Sequence, residues 1–279
     1  MMYNWNKKAL SIVLGYNFIK ADDFSINEIK ETLGIKNKQL KENAETDYTK
    51  YMQAQNILVK LAKEYEKRLR DFIEGKNKTF DKTFNIEGIK FEIYDKKLNN
   101  DELSYTADPK NKKVIIFTDL YKLFNSDSFS ACLHEVIHCL DYDDLKDKNN
   151  INKFANSSGI EYFTSPLEYN AITNELFLKA VNIICNYAKM NGTEPETLVK
   201  DKKLLAKILS RILTDICTHD DTYRDFLTCQ PENKLRHIFN RLYGFVERAL
   251  KENCIEFLER LTDLRLQVLF ESILMTENK

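Results

Sequence analysis

The chain has 279 residues, a formal net charge of −1 and 43% hydrophobic residues. That length is enough to bury a sizeable core, and the near-neutral balance argues against a broad surface for nucleic acid or anionic membrane. Only 7 glycines and 4 prolines leave few tight turns, which favours a mainly helical protein. The six cysteines, Cys132, Cys139, Cys185, Cys217, Cys229 and Cys254, include no CxxC or CxxxC pair. A cysteine zinc site is therefore not expected, and most of these residues read as small buried side chains of a reducing compartment.

Near the N-terminus, Lys7 and Lys8 precede an apolar run from Ala9 to Gly15. The run is short for a secretory leader and no small-x-small site follows before Lys20, so it reads as an ordinary amphipathic or core segment. No stretch approaches the ~20 apolar residues that span a bilayer, and a cytoplasmic protein with no membrane partner is expected. Ser25 and Glu28 form a capping-box pattern that opens a helix ending near Gly34. The stretch 25–40 loosely has the spacing of a helix-turn-helix, with Ile29, Leu33, Gly34, Ile35 and Leu40 near apolar and turn positions. Lys30 stands where a small residue is usual, so two packed helices are expected there and no nucleic-acid partner.

Residues 44–74 repeat Tyr51, Ala54, Leu58, Leu61, Tyr65, Leu69 and Phe72 at three- and four-residue steps. This predicts a long helix. Its charged side, with Glu64, Glu66, Lys67, Arg68 and Arg70, reads as a solvated face, and Gly75 ends it. From about residue 84 the period changes. Gly88–Tyr94 alternates like a half-buried strand, and Leu103–Thr106 and Lys112–Thr118 read as two more strands about a turn at Asp108–Asn111. The segment 119–124 reads as a short helix or turn, and Asn125–Ser128 supplies cap candidates for the next helix. A small antiparallel or mixed sheet is thus predicted directly before that helix. Its outer strand could take an extended peptide by strand addition.

That helix carries His134-Glu135-x-x-His138 within Ala131–Tyr142. Residues four apart lie on one helix face, about 6 Å apart along the axis, so both imidazoles can reach one ion. Glu135, rotated by about 100°, can touch a water beside that ion. This is the HExxH pattern of two zinc ligands and a general base. Leu133, Val136, Ile137 and Leu140 make the helix apolar on nearly every other side, which places it inside a domain. Histidines there need partners, and a metal supplies them; a core helix with hydrogen-bonded histidines is the plainer alternative. The polar stretch 143–159 reads as a loop near the site. A helix then runs to about residue 190, with Ser165 as cap and Pro166 in its first turn.

Catalytic zinc usually takes three protein ligands and keeps one position open. His134-Glu-x-x-His138 followed by Glu168-x-x-Ala171 resembles the gluzincin branch of the HExxH metallopeptidases, over roughly residues 84–190. The resemblance implies a zincin-like core, a Zn2+ cofactor, Glu168 as third ligand and Ala171 as a close-packing position. One position departs from that pattern. Many gluzincins carry an acid four residues after the ligand glutamate, to orient a ligand histidine, and here that position is Ile172. Its role would fall to Asp141, Glu175 or a backbone carbonyl. Asp141, Glu175 and Glu161 also compete with Glu168 as ligand, although one rigid helix rarely wraps three ligands round a single tetrahedral ion. Tyr162, Tyr169, His219 and His237 are candidates to stabilise an oxyanion.

Residues 191–279 read as a helical extension. Gly192 and Pro195 mark a break, helices are expected over 204–217, 234–250 and 255–275, and Gly244 or residues 252–253 split the last two. The expected fold is α+β, mainly α: a helical region over 1–83, a zincin-like core over 84–190 and a helical region over 191–279. The expected function is zinc-dependent hydrolysis of a specific intracellular protein or peptide, with water activated by zinc and Glu135. The alternatives are an idle zincin-fold binding protein and a peptidase-type regulator whose N-terminal helices touch DNA.

Overall fold

A computed structural model of the chain describes residues 37–94, 105–117, 126–142, 159–190, 192 and 194–251. The described residues fall into two compact units: residues 50–142, and residues up to 49 together with 159–251. Helix dominates, with one small mixed sheet, so the mainly helical α+β expectation holds at that level. No helix among the described residues is long and apolar enough to cross a membrane.

Helix α1 runs over Asn37–Ile73. Its expected apolar stripe is buried at Tyr51, Ala54, Leu58, Leu61 and Leu69. Glu64 pairs with Arg68 at 3.1 Å and Glu66 with Arg70, each one turn apart on the charged side. Gly75, at φ 72°, ends the helix in the left-handed conformation, and its N–H donates to the Phe72 carbonyl at 3.1 Å.

The sheet comprises β1 (Thr83–Ile86), β2 (Ile89–Ile93), β3 (Tyr105–Asp108) and β4 (Lys113–Ile116), in the order β1-β2-β4-β3. It is mixed, one of the two expected forms: β2 and β4 run parallel while the outer pairs are antiparallel. Strand β1 is absent from the sequence expectation, and Gly88 lies in a turn rather than in a strand. Glu87 and Gly88 both take positive φ, 50° and 81°, the two-residue hairpin geometry that matches strand twist. Ile89, Phe91, Ile93, Val114 and Ile116 alternate onto the buried face. Arg68 of α1 fastens the hairpin: it lies 4.2 Å over the Phe84 ring and donates to the Thr83 carbonyl at 2.7 Å. Between β3 and β4 the Asp108–Asn111 turn is a 3₁₀ helix over Pro109–Asn111, capped by the Asp108 carboxylate on the Asn111 N–H at 3.3 Å.

Helix α2 covers Ser126–Asp141 and packs on β3, β4 and the 3₁₀ turn. Cys132, Leu133, Val136, Ile137 and Cys139 are wholly buried.

The other unit is helical. It holds α3 (Ile160–Thr164), α4 (Pro166–Met190), α5 (Pro195–Lys200), α6 (Lys202–His219), α7 (Asp221–Cys229) and α8 (Glu232–Lys251). As expected, Pro166 opens α4, and the Ser165 hydroxyl accepts from the Glu168 N–H at 3.3 Å. Gly244 does not interrupt α8, because burial of its neighbours Phe245 and Val246 outweighs the modest cost of glycine inside a helix. Aromatic contacts fill this core: Phe177 meets Phe245 at 4.9 Å and Tyr48 meets Phe245 at 5.4 Å. Asp220 joins three parts. It caps α7 through the Thr222 N–H at 3.1 Å, ends α6, and accepts from Lys179 of α4 at 3.0 Å. The expectations placed on residues 7–34, 119–125, 143–158 and 255–275 lie outside the described residues.

Candidate metal centre

The helical pitch of α2 sets His134 and His138 on one face, one turn apart. Their rings meet edge to face, with centroids 4.5 Å apart and planes at 86°. His138 is 6% exposed and His134 is half-buried. The ligand atoms of His134, His138 and Glu168 all lie within 4.8 Å of one another, a group that could hold a metal ion. Around a tetrahedral ion with bonds of about 2.0–2.2 Å, neighbouring ligand atoms sit about 3.3–3.5 Å apart. Two imidazole nitrogens and one carboxylate oxygen make a donor set suited to a divalent metal ion.

Thiols do not join this set. Burial pushes the Cys132 thiol well up and Cys139 up to about 12, and the negative charge of Glu135 raises both further. Neither thiol is among the ligand atoms of the His134–His138–Glu168 group. Cys139 turns towards β4, its sulfur 3.8 Å from the Lys113 carbonyl oxygen. Glu135 is half-buried on the flank of α2 that separates the histidine face from this cysteine face.

Asp141 shares the histidine face, being three residues past His138, and is 2% exposed. Its carboxylate is held by Lys50 of α1 and does not belong to the His134–His138–Glu168 group. Lys112 pins the same end of α2: its ammonium donates to the Cys139 carbonyl at 3.0 Å, one of the carbonyls a helix terminus leaves without an intrahelical partner. Sequence reasoning named neither lysine. In a chain with 42 Lys and Arg residues, one more basic residue in a helical pattern carries no signal of its own.

The other candidates scatter. Glu175 is half-buried two turns along α4 from Glu168, on the same side of that helix. Glu161 is exposed in the first turn of α3. Tyr162, half-buried in α3, packs against Phe163 at 5.2 Å. The Tyr169 ring meets Phe226 at 6.0 Å, with the Lys234 ammonium 5.1 Å from its centre. His219 is the last residue of α6. It is exposed, and its Nδ1 lies 2.9 Å from the Asp215 carbonyl oxygen one turn back. His237 is half-buried within α8. Ala171 and Ile172 are both buried in α4, so neither offers a polar group to orient a ligand.

Compared with protein-family models, with curated proteins and with solved structures, the chain matches none.

Proposed function

We propose that this protein is a zinc-dependent peptidase of gluzincin type that hydrolyses peptide bonds in a specific protein or peptide substrate. The observation that carries this reading is the convergence of His134, His138 and Glu168 within 4.8 Å, with a carboxylate, Glu135, on the adjoining flank of the same helix. When bound, zinc supplies a Lewis acid that polarises the scissile carbonyl and acidifies the attacking water. Glu135 does the proton work. One carboxylate oxygen takes a proton from the water as its oxygen adds to the carbonyl carbon, and returns it to the amine nitrogen as the C–N bond breaks. Glu135 is half-buried and so stays within reach of substrate, with Cys132 and Cys139 buried behind it.

The test pairs metal analysis with one substitution. Purified protein should hold about one zinc per chain, and should cleave members of a peptide library, read by mass spectrometry. Glu135→Gln should keep the zinc and lose about 10²–10⁴-fold in cleavage rate, the usual share of a positioned general base. A chain that takes up no zinc overturns the proposal. Zinc retained without cleavage of any peptide, in wild type and variant alike, favours the idle zincin-fold binding protein instead.

A further inference from the structure

We infer that Lys50 and Asp141 form a positioning pair for His138, an inference that rests on the zinc-site reading above. Asp141 lies one turn beyond His138 and two turns beyond His134, on the same face of α2. Side chains on a helix lean back towards its N-terminus, so the Asp141 carboxylate covers the turn that carries His138. The carboxylate is 2% exposed, and a charge at such depth demands a partner. Lys50 of α1 supplies it through Oδ1. The second oxygen, Oδ2, is buried and finds no hydrogen-bond partner among the described residues. The pair therefore presents one anchored carboxylate with a spare acceptor on the helix face that carries His138.

Metal-ligating histidines almost always donate their other ring N–H to a carboxylate, carbonyl or water, which fixes the tautomer and strengthens the ligand. Asp141 Oδ2 is the acceptor suited to that task for His138. The chain has Ile172 where gluzincins commonly keep an orienting acid, and Ile172 is buried and apolar. Lys50 performs two tasks. It gives the buried carboxylate a counter-charge, and it holds Oδ1 so that Oδ2 stays directed along the helix face.

The double variant Lys50→Met/Asp141→Leu separates positioning from packing, because replacing a whole buried ion pair by apolar residues is often neutral for stability. Zinc affinity is read by competition with a chromogenic chelator, and the melting temperature of the metal-free protein is read beside it. The expected result is an unfolding temperature close to wild type with zinc affinity down about 10–100-fold. The near-isosteric Asp141→Asn, which removes the charge and alters little volume, should also weaken zinc binding and serves if the double variant does not fold. Wild-type zinc affinity in a folded variant overturns the pair's role and leaves the zinc site standing. Absence of zinc from the wild type overturns both.

Discussion

The two units of the molecule are stabilised by different means. In residues 50–142 a small sheet and one helix are fastened by cations at chosen points: Lys50 on Asp141, Lys112 on the Cys139 carbonyl, Arg68 on the Thr83 carbonyl and Lys60 on Glu87. The helical unit relies on apolar and aromatic packing, with Phe177, Phe226 and Phe245 wholly buried. A four-strand sheet offers little area to bury, so directional bonds fix its register and the aim of α2. Long amphipathic helices bury area freely and need few such bonds. The lesson concerns function as well. Two of these bonds, from Lys50 and Lys112, fall at the end of α2 that carries His138.

This comparison can be broken or sharpened by experiment. The largest effect is expected at Glu168, the proposed third ligand. Glu168→Ala should keep the fold, seen by circular dichroism, and lose most bound zinc in metal analysis; undiminished zinc would remove Glu168 from the set. Next comes Phe245→Ala in α8. Truncating a buried phenylalanine costs about 3–5 kcal/mol, and the urea midpoint should fall accordingly. If the midpoint barely moved, the helical unit would not depend on this aromatic cluster.

Smaller effects are expected in the sheet. At Gly88 a Cβ would meet nothing within 4 Å, so only the φ of 81° opposes a side chain. Gly88→Ala should cost about 1 kcal/mol of stability, and a neutral result would show that the hairpin relaxes. The smallest effect depends on pH. Hydrogen bonds from Lys113, and then from Lys90, both at 2.7 Å, hold the Glu92 carboxyl down to about 2, against its ordinary 4.5. A depressed acid stabilises the fold above its unfolded pKa, and that stability drains away as pH falls from about 4.5 towards 2. Both lysines are partly exposed, so screening limits the gain to about 1 kcal/mol or less. Glu92→Gln should flatten stability against pH in that window; an unchanged acid limb would count against these bonds.

Much of the architecture was legible because it repeats locally. The three- and four-residue steps through Tyr51, Leu58 and Leu69 predicted α1, the alternation from Ile89 to Ile93 predicted β2, and Ser165-Pro166 marked the start of α4. What escaped was short or depended on pairing. Thr83–Ile86 is too brief to show a period, and the parallel match of β2 with β4 cannot be read from either strand alone. Helix α7, nine residues long, follows α6 after a single residue, Asp220, and its sequence carries no glycine or proline to announce the break.

The sequence by itself determined the histidine pair and the carboxylate beside it, because a helix converts a spacing of four residues into one shared face. Only the tertiary structure decided which acids serve what purpose. Asp141, near in sequence and on the same face, is held by Lys50 and stands outside the group of ligand atoms, from His134, His138 and Glu168, that could hold a metal ion. The physical reason is reach. Helical geometry relates neighbours within a few turns, whereas the partner of a buried charge is chosen by whichever distant segment folds against it.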